Sequence, residues 1–156
     1  MKLVLSILLV ICSCQVFGEE LKTKQQLIDL SDKFMSIIDD GDIEKALEFV
    51  TPYWPIPKHE IDGMAYKMNS QMPKIKERFG DSIETIHIKN MIISDSFYKR
   101  IYLQKFTNHA LVWYISFYRP DDNWRINTLT FDDRIDRLYT CEGYLTHNSK
   151  NKKTCK

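Results

Sequence analysis

The sequence predicts an α+β domain, with three helices followed by a four-stranded antiparallel meander sheet. Apolar residues recur at spacings of three and four as far as Phe79, and beyond it the period shortens to about two. Gly41 and Gly80 stand where helical periods stop. The alternating segments are joined by Asp95-Ser96, Asn108-His109 and Pro120-Asp121-Asp122-Asn123, all short enough for hairpins. Successive hairpins make a meander, and helices ahead of such a sheet are an α+β order.

In the first helix Leu27, Leu30, Phe34, Ile37 and Ile38 form one stripe, which Gly41 ends. Asp42 caps a short second helix with Ile43, Ala46, Leu47 and Val50 at i, i+3, i+4 and i+7. Thr51-Pro52-Tyr53-Trp54-Pro55-Ile56-Pro57 cannot be helical, because its prolines fix φ and remove donors. Its aromatics and Ile56 need cover, so Trp54 is expected to pack across the open end of the sheet near Trp113 or Trp124. The third helix runs from about Lys58 to Phe79 on Ile61, Met64, Ala65, Met68, Met72 and Ile75, with Pro73 expected to kink or split it near Gln71. The strands are read as 82–93, 97–106, 110–119 and 124–131.

Residues 1–18 read as a signal peptide: Lys2, the apolar run Leu3 to Ile11, and Val16-Phe17-Gly18 at the cleavage site. The run is short for a span, which needs about 20 apolar residues. A lipidated Cys14 is the less favoured alternative, because Cys12 fits that signal poorly. The mature domain is then 19–139, followed by a polar tail at 140–156. Of 22 Lys and Arg, Lys2 alone lies in the leader, so 21 remain against 21 Asp and Glu. Such neutrality argues against nucleic acid, and against steering to an anionic membrane, since both call for excess Lys and Arg. Cys141 and Cys155 are the cysteines left after export, and in an oxidising compartment they are expected to pair, for about 3 kcal/mol on a chain-entropy estimate.

Two-residue hairpins would fix which residues share a face. One face takes Ile86, Ile88, Ile92, Ile101, Leu103, Val112, Tyr114, Tyr118, Leu129 and Phe131. It is largely apolar and is expected to receive the helices. The other takes His87, Lys89, Arg100, Tyr102, Gln104, Phe106, Leu111, Trp113, Ile115, Phe117, Ile126 and Thr128. This mixed face is expected to point outward and pack on a loop or a second subunit. The competing expectation is that the sheet curls and His87, Tyr102 and Gln104 point into a pocket. The same register sets Lys89 opposite Tyr102 and His87 opposite Gln104.

Familiar reaction chemistry finds little support. Five scattered glycines make no phosphate loop, and the sequence has no Gly-x-Ser-x-Gly elbow, zinc-type cysteine pair or His-Glu-x-x-His. His59 and Glu60 diverge by about 100° on a helix, so that acidic first turn is read as solvated and favourable to the helix dipole. Asp132-Asp133-Arg134-Ile135-Asp136 lacks the glycine and alternation of a calcium loop and reads as a turn with a short helix cap. No metal and no cofactor is expected.

The element order resembles the nuclear transport factor 2-like superfamily in its small exported bacterial form. The resemblance is carried over residues 21–138 by Asp40-Gly41-Asp42-Ile43-Glu44-Lys45-Ala46-Leu47, Trp54-Pro55-Ile56-Pro57, Phe117-Tyr118-Arg119-Pro120 with Trp124, and Phe131-Asp132-Asp133. It implies a cone of helices over a curled sheet. Members include isomerases, dehydratases and hydrolases as well as silent binding and dimerisation modules, so no catalytic residue carries over. The favoured expectation is a non-catalytic periplasmic or secreted module that binds a partner or a small apolar ligand, with a homodimer through a sheet face as one form. His87, Tyr102, Gln104, Trp113 and Trp54 are its binding residues. The alternative is a cone-pocket enzyme with His87 as general base and Tyr102 as oxyanion donor.

Overall fold

In the computed structural model the described residues are 20–139. The leader at 1–18, Cys14, the tail and the Cys141–Cys155 pair therefore lie outside the described residues. Helices α1 (Lys24–Asp39), α2 (Ile43–Val50) and α3 (Lys58–Phe79) precede strands β1 (Ser82–Ile93), β2 (Phe97–Phe106), β3 (Ala110–Tyr118) and β4 (Arg125–Asp132). The strands form one antiparallel sheet in the order β1-β2-β3-β4. The α+β architecture and the meander are as the periodicity predicts.

Local chemistry sets the helix ends. Thr23 caps α1 through a reciprocal capping box with Gln26, and Asp42 accepts from the Lys45 amide at the start of α2. Gly80 closes α3 at φ +85°, and a Cβ there would fall 1.8 Å from the Thr107 hydroxyl. The helix is not split at Pro73: α3 runs as one element from Lys58 to Phe79 with Pro73 inside it. Pro73 lies on the exposed side, where water can satisfy the carbonyl it leaves free.

The faces of the sheet differ from the expected assignment. The mixed face, not the apolar one, receives the helices: Tyr98, Tyr102, Phe106, Leu111, Trp113, Ile115 and Phe117 join the helical stripe in one core. Phe34 of α1 meets Trp113 edge to face, with ring centroids 6.0 Å apart. The aromatics on this side bury more area than the isoleucines opposite, and this outweighs the three polar residues among them. On the outer side Ile101 and Val112 are also buried, beneath a 3-10 turn at Ile135–Leu138 that folds back against β3.

Two irregularities explain the remaining differences. The β1–β2 turn has three residues, with Ser94 at φ +52°, so Ile93 pairs with Phe97. A bulge between His87 and Lys89 then sets His87 opposite Tyr102, Thr85 opposite Gln104, and Lys89 opposite Ile101. In β4 a second shift lies between the Phe117–Ile126 and Ser116–Thr128 pairs. It turns Leu129 and Phe131 inward beside Ile126 and turns Thr128 outward, where a regular strand would do the reverse.

Candidate functional site

The chemistry-bearing side chains of the domain gather between α1 and the inner face of β1–β3. Arg100, Tyr102 and Gln104 alternate along β2 and so point the same way. All three are buried, which demands hydrogen-bond partners. Helix α1 supplies them from the flank of its apolar stripe, through Asp32 and Asp39.

Asp32 Oδ1 accepts from Arg100 Nη2 at 2.7 Å and from the Tyr102 hydroxyl at 2.6 Å. The Tyr102 oxygen in turn accepts from Arg100 Nε at 2.6 Å. Burial works against the charge of Arg100, but the Tyr102 hydrogen bond and the Asp32 carboxylate hold its pKa above the usual value. Burial, and then the bond to Asp32, raise the Tyr102 pKa, so this phenol keeps its proton. The Arg100 side chain is 5% exposed and that of Asp32 is 52% exposed, so the ion pair opens to water on its acidic side.

A second cluster lies about two helical turns along α1. Asp39 Oδ1 accepts from Thr85 Oγ1 at 2.6 Å and from Gln104 Nε2 at 3.4 Å. Gln104 Oε1 accepts from Trp113 Nε1 at 2.9 Å. Burial raises the Asp39 pKa above the ordinary carboxylate value, and the hydrogen bonds from Thr85 and Gln104 only partly offset this.

The structure thus brings Tyr102, Gln104 and Trp113 together, and it sets His87 at their rim. His87 is exposed, its ring edge-on to Tyr102 with centroids 5.4 Å apart and its Nε2 2.9 Å from Asn90 Oδ1. Trp54 is not part of this group. It is 7% exposed within the core, and its neighbours Pro52, Tyr53 and Pro55 share a cleft with Asn123, Trp124 and Arg125. Asp32, Asp39 and Arg100 were not singled out by sequence reasoning. The available signal was the run of long polar side chains at alternate positions of β2 between Tyr98 and Phe106, which needs counter-groups from a covering helix.

The first turn of α3 is exposed at Lys58, His59, Glu60 and Asp62, and Lys58 Nζ pairs with Asp62 at 2.7 Å. Asp132 caps the final turn, accepting from the Arg134 amide at 3.0 Å and from Arg137 at 2.8 Å. Among the described residues no group of three His, Cys, Asp or Glu side chains is placed to hold a metal, and no helix is long and apolar enough to cross a membrane.

No family model, curated protein or solved structure matches this chain.

Proposed function

We propose that the chain is an exported, non-catalytic module of the nuclear transport factor 2-like type, and that it binds a partner protein, a second copy included, along β1. The cone reading rests on the order of elements and on α1 lying over the aromatic face of the sheet. Export rests on the leader-like residues 1–18.

One observation carries the binding reading. β1 is a 12-residue edge strand on which Ile83, Ile86, Ile88, Ile92 and Ile93 are 37–59% exposed. An edge strand offers unpaired backbone groups as well as side chains, and long apolar edges are usually covered. Contact is thereby moved from the face of the sheet to its margin. The enzyme alternative would need Tyr102 to donate to a substrate, whereas its proton is directed at Asp32.

Native mass spectrometry and light scattering on the purified protein test the reading, alone and after Ile88→Lys with Ile93→Lys. A dimer that dissociates in the double variant is the expected outcome. A strict monomer whose behaviour the double variant leaves unchanged overturns self-association through β1.

A further inference from the structure

The outer face of the sheet carries a hollow of about 320 Å³ over β2, β3 and β4, to which β1 contributes no residue. That volume lies at the lower end of small-molecule sites. Among the described residues no aliphatic one lines it. Lys99, Ser116 and Thr128 form one row across it, because Lys99 pairs with Ser116 and Ser116 with Thr128. Tyr114 and Thr130 pair in the next row of the same face. A row further on is Asp132, which holds Arg137 of the final turn at 2.8 Å. The bulge at Asn127 turns Thr128 and Thr130 to this face, and bulges of this kind re-aim side chains beside functional sites.

Two groups of the first row have no partner among the described residues. Ser116 is 7% exposed, and its hydroxyl makes no hydrogen bond there. A polar side chain buried to that degree calls for a partner, and the hollow is the space it opens on. Lys99, half-buried beside it, belongs to no ion pair there. Thr128 completes the row as a donor. Its Oγ1 accepts from Asn127 Nδ2 at 2.9 Å, which fills one lone pair and leaves its proton to be given away. Lys99 and Arg137 stand against Asp132, so the lining carries a surplus of one positive charge.

We infer that this hollow binds a sugar acid: a monosaccharide with one carboxylate, its acid group at Lys99, Ser116 and Thr128 and its hydroxyls toward Thr130 and the Asp132–Arg137 pair. One surplus cation matches a monoanion. An ammonium and two hydroxyls in a row donate charge-assisted hydrogen bonds to a carboxylate. Hydroxyl side chains both donate and accept, as sugar hydroxyls do. A lining without aliphatic residues gives an apolar ligand little to be buried against. Binding weakens as salt screens Lys99.

The test is an NMR titration of the purified protein with D-glucuronate and D-galacturonate. D-glucose and acetate serve as controls that carry the ring and the acid separately. At least one uronate should bind in the millimolar range, and at least about tenfold tighter than either control. Shifts should concentrate in residues 99, 114–116 and 127–132. Lys99→Met, which keeps the stem and loses the charge, should bring the uronate down to the glucose affinity. Ser116→Ala should weaken the uronate at least about fivefold without lowering the melting temperature, since the hydroxyl it removes has no partner within the described residues. Acetate as tight as the uronates would mean an adventitious anion only and overturns the inference. Glucose as tight as the uronates, an unaltered uronate affinity in either variant, or no binding by either uronate overturns it too. None of these outcomes bears on whether the protein associates through β1.

Discussion

Along β4, the exposed positions are Arg125, Asn127 and Thr130, and Asp132 ties down the turn that follows. The strand is also closed at its entry. The Trp124 amide donates to the Leu21 carbonyl at 2.7 Å, and the proline-rich loop around Trp54 stands beside it. Along β1, at the other margin of the same sheet, isoleucines face water on both sides of the strand. Lys89, Glu84 and the bulge near Ile88 are its guards against edge pairing. A sheet of four strands has two edges to protect, and here the entry to one is closed by the chain itself while the other is left for something else to cover.

Trp54→Ala should have the largest effect, because Trp54 is a core aromatic of the loop beside the β4 entry. Truncating a buried aromatic costs about 3–5 kcal/mol, read from chemical denaturation with an unchanged slope. An unchanged midpoint would show that the loop is not a structural cover and that the β4 entry is no better closed than β1.

Asp32→Ala comes next. It leaves the buried Arg100 guanidinium without its carboxylate, and losing a charged hydrogen-bond partner costs about 1.5–3 kcal/mol. Because Asp32 is half exposed and water can take part of its place, the lower end is expected. Tyr102→Phe in the same background should add less than it costs alone, since both changes open one network. Full additivity would mean that the three groups are neighbours without being coupled.

At the open edge, Ile88→Lys with Ile93→Lys should change monomer stability by no more than about 0.5 kcal/mol per site, as exposed positions do. A loss of several kcal/mol would place these isoleucines inside the fold and end the contrast between the two margins. Asp39→Asn should have the smallest effect and the opposite sign. A carboxyl whose folded pKa is raised binds more protons folded than unfolded, so its contribution falls as pH rises above about 3.8. The amide can still accept from Thr85, and it relieves a negative charge at the C-terminal end of α1. Stability at pH 7 should therefore rise by up to about 0.5 kcal/mol, with a flatter profile just above pH 3.8. A drop in stability would show that the ionised form is the one the fold prefers.

Much of this architecture was legible because it depends on local chemistry. Helix stripes, the Asp42 cap, Gly41, Gly80 and the turn residues act over a few positions, and they placed α3 and the four strands to within a residue. What could not be read was which side of the sheet meets the helices. The isoleucines of β1 made one face look apolar, yet they lie on an edge strand the helices leave exposed. Arg100, Tyr102 and Gln104 made the other face look wet, although their partners Asp32 and Asp39 lie 68 and 65 positions away for Arg100 and Gln104. Long-range satisfaction of that kind leaves no periodic trace. The clustering of Tyr102, Gln104 and Trp113 was anticipated by their shared parity, whereas Trp54 belongs to another end of the core.

The strand irregularities also say where this chain can change length. With Ile126 paired to Phe117 and Thr128 to Ser116, Asn127 is the extra residue. Deleting Asn127 would leave each later pair in place, with Leu129 and Phe131 still facing inward. Ile88, between His87–Tyr102 and Lys89–Ile101, stands in the same position in β1. A further shift between Ser82 and Glu84 makes Ile83 a third extra residue, at the start of β1. A deletion elsewhere in either strand would turn every following side chain to the wrong face. Insertions and deletions among descendants of this sequence should therefore be tolerated within the sheet at these three points, and otherwise confined to its loops.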